Sequence, residues 1–175
     1  MTGAAPTPSQ TVGPFFDLGF RWLDGSELVP ASHPGAVRIH GQVLDGRGDP
    51  VPDAVIEIFQ ADEHGHFPPA TATAWRGFGR CLCDESGHYH FVTVKPGSLG
   101  GDAAPHIDVS VFARGLLQRL VTRCYFGDEG ANADDPLLHG IGGDRASTLL
   151  ARADQGAYRF DIHLQGAKET AFFAW

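Results

Sequence analysis

Beyond residue 36, apolar and polar positions alternate in short runs separated by glycine, proline and aspartate. The clearest run is 104–115, where Ile107, Val109 and Val111 fall on one side and His106, Asp108 and Ser110 on the other. A period of two marks a strand with one buried face. The same texture predicts strands over 37–45, 54–60, 80–84, 88–94 and 118–126, and two more over 158–165 and 170–175. The turn at 46–50 suggests that the first two form a hairpin or its sandwich equivalent. The turn at 85–87 suggests a second, and Gly115 a third that joins the central strand to 118–126. Helical character is confined to 144–152, one or two turns capped by Asp144, while 127–143 reads as a surface excursion. About eight short strands and little helix predict an all-β fold, an antiparallel β-sandwich.

Residues 1–36 lack this period. Pro6, Pro8, Gly13, Pro14, Gly19, Gly25, Pro30, Pro34 and Gly35 punctuate them, and Phe15, Phe16, Leu18, Phe20, Trp22 and Leu23 form a cluster too apolar to be left in water. The chain therefore divides into an extended N-terminal arm, 1–36, that packs on the body or on a partner chain, and one sandwich domain, 37–175.

Composition narrows the function classes. A formal charge of −8, with 13 Lys and Arg that form no basic run, argues against nucleic acid as partner. No apolar run approaches the roughly 20 residues that span a bilayer. The first ten residues have neither the basic region nor the apolar core of a signal peptide, which points to the cytoplasm. The cysteines, Cys81, Cys83 and Cys124, cannot all pair, and neighbouring strand positions 81 and 83 are poor disulfide partners, so reduced thiols are expected.

His64/His66, His88/His90 and His106/Asp108 each put two metal-ligating groups on one strand face, as chance also does in a chain with nine histidines. Cys81 and Cys83 beside His88 and His90 offer soft ligands for zinc, but a flat strand does not wrap two thiolates around one ion. His106, Asp108 and His163 fit the spacing of the two-histidine, one-carboxylate triad of Fe(II) oxygenases. Against it, no arginine lies about ten residues beyond His163 to hold a keto-acid; position 173 is Phe. There is no Gly-x-Ser-x-Gly elbow and no phosphate-binding Gly-Lys loop, which sets aside serine hydrolysis and nucleotide chemistry.

Several stretches taken together carry more. Residues 7–15, Gly79-Arg80, Val94-Lys95-Pro96-Gly97, Ala104-Pro105-His106-Ile107, 112–115, 122–126 and 158–162 resemble the intradiol ring-cleaving dioxygenases, in the same order over 7–175. The resemblance implies a mixed-topology β-sandwich whose catalytic chain holds Fe(III) with two tyrosines and two histidines. Hard ferric iron suits phenolate and imidazole. His106 matches the first histidine, but the second position is Asp108. The two tyrosine positions fall on Leu99 and Phe67, an arginine before the first histidine falls on Ala103, and a glutamine beyond the central strand is Arg123. A fixed cation beside His106 would repel a trivalent metal, and it could pair with Asp108.

The resemblance is therefore to the alpha chain of two-chain members, which has no catalytic residues and no metal of its own. It implies a beta partner that carries Fe(III) and an active site at the interface of the two. The implied reaction is intradiol cleavage of 3,4-dihydroxybenzoate with O2 to 3-carboxy-cis,cis-muconate, a step of aromatic catabolism (the beta-ketoadipate pathway). Thr11, Gly13 and Pro14 would border the partner's pocket. Arg123 would bind the substrate carboxylate or fill the vestigial site through Asp108. The alternatives are a purely structural assembly subunit and an Fe(II) oxygenase using His106, Asp108 and His163.

Overall fold

In β5 (His106–Phe112), the alternation read from the sequence decides which way each side chain faces. Ile107, Val109 and Val111 are buried among Ile56, Ile58, Val43, Phe91 and Phe126, residues drawn from both layers of the fold. Each such side chain contributes on the order of 1.5–3 kcal/mol through burial, so this face fixes the strand. The computed structural model describes residues 7–13, 19–20, 22, 24–69 and 75–174. The other strands are β1 (Ala36–Leu44), β2 (Val55–Phe59), β3 (Phe78–Leu82), β4 (His88–Val94), β6 (Leu120–Phe126), β7 (Leu150–Asp154), β8 (Ala157–Arg159) and β9 (Ile162–His163).

The strands run in the hydrogen-bonded order β3-β2-β5-β6-β7-β8-β1-β4, with β9 beside β1. The all-β sandwich expected from the sequence is present and mostly antiparallel; β1–β8, β1–β9 and β6–β7 pair in parallel. β7 joins the layers, because Leu150 and Ala151 lie beside Tyr125 and Phe126 while Arg152–Asp154 pair with β8. At the other end of the path, residues 25–28 bridge β3 and β4. Arg80 N donates to the Gly25 carbonyl at 2.7 Å, and Leu28 N to the Val92 carbonyl at 2.8 Å.

The first pair takes the sandwich alternative to a hairpin, and the second expected hairpin does not form. β1 pairs with β4, and β2 pairs with β3 and β5. The turns themselves form: Asp45 accepts from Arg47 N and Asp49 N, and Asp84 from Ser86 N and His88 N. An aspartate turn reverses the chain but does not say whether the outgoing strand stays in the same layer. The third hairpin is as expected, with β5 pairing β6 from His106–Tyr125 to Val111–Leu120.

The surface excursion contains helix. A 3-10 turn (Gly130–Ala133) precedes α1 (Pro136–Ile141), which Asp135 caps by accepting from Leu137 N and Leu138 N, with Pro136 at the first position. The helix expected over 144–152 is only α2 (Gly143–Ser147), because the pairing of Leu150 and Ala151 with β6 draws the rest into β7. The run 158–165 is broken at Phe160 into β8 and β9. Residues 170–174 form no strand, although Phe173 N bonds the Val121 carbonyl at 2.9 Å. Of the apolar arm residues, Phe15, Phe16, Leu18 and Leu23 lie outside the described residues. Trp22 stacks on Phe78 of β3 at 6.0 Å.

One contact pins the sheet that carries β1. The buried Tyr89 hydroxyl donates to the Phe160 carbonyl, and a Cβ on Gly41 would stand 1.8 Å from that carbonyl oxygen. Gly41→Ala is therefore expected to lower the unfolding free energy by about 1–3 kcal/mol, as overpacking does. Urea unfolding checks this; an unchanged midpoint would show that the Phe160 segment yields freely.

Candidate functional site

The register of β5 against β6 sets His106 opposite Tyr125 and Asp108 opposite Arg123, on the face turned away from the main core, where Tyr125 is fully buried in a second apolar cluster with Ala104, Leu138 and Leu149. His106 is nonetheless 7% exposed, its ring 5.2 Å from that of Tyr125. Its Nδ1 lies 2.8 Å from the Ala104 carbonyl oxygen. A carbonyl only accepts, so Nδ1 carries the proton and Nε2 the lone pair. Burial pushes the imidazole below its ordinary pKa of 6.5, and the Arg123 charge pushes the same way. The Ala104 carbonyl, Asp108 and Asp135 oppose this without reversing it.

Arg123 Nε donates to Asp108 Oδ1 at 3.1 Å, a single rather than a forked bond, and both side chains are about a third or more exposed. Its Nη1 stands 3.5 Å from the Tyr125 hydroxyl. Behind them Asp135, 2% exposed, accepts from Ala104 N at 2.9 Å, Leu137 N at 2.9 Å, Leu138 N at 3.0 Å and the Tyr125 hydroxyl at 3.4 Å. Burial raises the Asp135 carboxyl, but the N–H groups of Leu138, Ala104 and Leu137 together hold it below the ordinary carboxylate range. The capping aspartate of α1 thus also fastens the loop that leads into His106.

Tyr125 and Asp135 were not singled out in the sequence, though signals for both exist. Tyr125 follows from the hairpin register once His106 is placed. Asp135-Pro136 is a helix-start pair inside a stretch read as loop.

The remaining positions fall around this face. Phe67 stacks on Phe59, ring centroids 5.2 Å apart and planes 14° apart, and Phe59 is the β2 neighbour of Asp108. Leu99 is exposed, and the Ala103 carbonyl accepts from Ser98 Oγ at 3.1 Å. Leu99 and Phe67 offer no donor atom, and the carboxylate of Asp108 is tied to a guanidinium. Trivalent iron wants several anionic oxygens, so these residues do not fit it. Among the described residues no three His, Cys, Asp or Glu side chains stand close enough to share a metal. That disposes of the Fe(II) triad: His163 sits on β9 beside Leu44 and lines a different cleft. Nor do Cys81 and Cys83 join His88 and His90 in a metal site; all three cysteines are free thiols, which burial makes harder to ionise.

The arm meets the body at the far end of the same hairpin. Gly115 N donates to Thr11 Oγ1 at 2.7 Å; Gly13 is exposed, and Pro14 lies outside the described residues. From Ala113, at the start of that turn, to Asp108 is five strand positions, about 17 Å. Thr11 and Arg123 therefore do not converge on one small molecule within this chain.

A histidine held neutral by its surroundings takes up a proton more readily when unfolded, so acid destabilises the fold as pH falls below 6.5. His106→Gln is expected to flatten the loss of stability as the pH falls below about 6.5. Denaturant unfolding at several pH values measures this, and an unchanged slope would contradict the neutral assignment.

With this geometry in place, the chain can be compared with known proteins. A family model described as Dioxygenase matches residues 27–166. The protocatechuate 3,4-dioxygenase alpha chain of Burkholderia cepacia is 40% identical over 195 aligned positions, covering 99% of each chain. The beta chain from the same organism is 32% identical over 154 positions, covering 75% of this chain and 65% of that one. Among solved structures, the dioxygenase domain of a carbohydrate-binding fusion from Streptomyces sp. SirexAA-E superposes with a TM-score of 0.65 at 28% identity, covering 93% of this chain and 100% of that one. The chain belongs to the intradiol dioxygenase family.

Proposed function

We propose that this chain is the alpha subunit, without iron of its own, of a protocatechuate 3,4-dioxygenase whose beta partner carries the Fe(III). The complex cleaves 3,4-dihydroxybenzoate between its two hydroxyl-bearing carbons, and both atoms of O2 enter the product, 3-carboxy-cis,cis-muconate. One observation carries the reading: beside His106, where a metal would need open donor atoms, stands the guanidinium of Arg123, bonded to Asp108. A fixed positive charge there opposes a trivalent ion.

Within the complex the chain has two tasks. Its arm, 1–36, reaches from the body, 37–175, to the partner, where Thr11, Gly13 and Pro14 border the iron-bearing pocket. Arg123 takes the carboxylate of 3,4-dihydroxybenzoate. Asp108 engages its Nε and the Tyr125 hydroxyl stands 3.5 Å from Nη1, and among the described residues Nη2 has no hydrogen-bond partner, so that nitrogen is open to a carboxylate. The complex works in the cytoplasm, a reducing compartment that suits free Cys81, Cys83 and Cys124. Among the described residues no helix is long and apolar enough to cross a membrane.

A charge-assisted hydrogen bond contributes about 1.5–3 kcal/mol, so Arg123→Ala is expected to weaken binding of 3,4-dihydroxybenzoate to the assembled complex roughly tenfold or more. Binding of catechol, which lacks the carboxylate, stays as it was. Calorimetry on both ligands checks this. Equal affinity for 3,4-dihydroxybenzoate in the variant would leave this chain as an assembly subunit only.

A further inference from the structure

Away from the β5–β6 face, the β7–β8 hairpin brings together charges that folding alone does not account for. Its two-residue turn, Gln155 and Gly156, has φ of 48° and 86°, the left-handed pair that matches strand twist and locks register. In that register Arg152 stands directly opposite Arg159. Like charges so placed repel and weaken a sheet. Asp161 relieves Arg159, whose Nε lies 2.9 and 3.1 Å from its two oxygens. The same carboxylate also accepts from Gln42 N at 3.1 Å. Arg152 is exposed and has no ion pair among the described residues; the same holds for Lys168.

Arg152, Arg159, Lys168 and His163 line one cleft of about 770 Å³, with Asp144 and Asp161 as its carboxylates. Leu150, 37% exposed, gives it an apolar wall. On a chain with a net charge of −8, a cleft with an excess of cations is a local exception. Arginine forks match carboxylates in pairs, and an apolar wall suits a carbon skeleton between them.

We infer that the cleft between the β7–β8 hairpin and the segment carrying His163 and Lys168 binds a small organic molecule bearing two or more carboxylates. The ligand screens Arg152 from Arg159 and draws on Lys168, and its carbon body lies against Leu150. This site is independent of Arg123 and of the proposed oxygenase activity.

The test is calorimetric titration of propane-1,2,3-tricarboxylate into the full-length chain in low-salt, phosphate-free buffer, with inorganic phosphate as a second probe. Arg152→Gln and Lys168→Gln change exposed side chains, and circular dichroism confirms that both variants fold. The expected result is saturable binding of one molecule per chain, weakened at least fivefold in each variant and also by added salt, with phosphate binding at least tenfold less tightly. No saturable binding, or equal affinity in both variants, would overturn the site. Phosphate binding as tightly as the tricarboxylate would overturn the ligand class.

Discussion

The antiparallel pairing of β5 with β6 is the constraint on which the rest of the polar face depends. One register places Tyr125 against His106 and Arg123 against Asp108. A slip of one residue would turn Ile107, Val109 and Val111 out of the core and His106 into it, so burial of three apolar side chains holds the ion pair in place. From that ladder follow the neutral imidazole, the single bond from Arg123 to Asp108, and the tie from Asp135 back to Ala104. Among the described residues this face carries one ion pair, Arg123 with Asp108, and leaves Nη2 of the guanidinium without a hydrogen-bond partner.

Hydrocarbon completes the change of character. At the two positions where the family resemblance would put phenolates, Phe67 stacks on Phe59 and Leu99 stands exposed. The fold needs none of those donors, because its larger apolar cluster lies on the other side of the same strands and a smaller one, around Tyr125, Leu138 and Leu149, packs beneath the helix. That separation between core face and site face lets one architecture serve both as a catalytic chain and as its companion.

Much of this was legible in the sequence, for physical reasons that can be named. Period-two alternation located β1, β2, β4, β5 and β6 to within a few residues, because burial on one face writes itself into composition. The pairing of Arg123 with Asp108 was an expectation from the sequence, and the structure contains that bond. What local sequence could not carry was layer assignment. The aspartate turns at 45–50 and 84–87 look the same whether the chain returns beside itself or crosses the sandwich, so the first stayed open between the two, the second read as a hairpin, and both are crossings. Short elements were lost where tertiary pairing overrode propensity: Leu150 and Ala151 left a helical pattern for β7, and α1 hid in a glycine-rich stretch. The Arg152–Arg159 juxtaposition was invisible until the Gln155-Gly156 turn fixed its register.

The central claim is that this chain keeps the family's fold and leaves the iron to its partner. The most direct measurement is the metal content and visible absorption of the chain purified alone and again with its beta partner. Tyrosinate bound to Fe(III) gives a broad visible charge-transfer band, and the resemblance to the family puts Leu99 and Phe67 at the two positions that would supply it. The account predicts an iron-free, colourless chain alone, with iron and colour appearing only in the complex. Stoichiometric iron with a visible band in the isolated chain would contradict it.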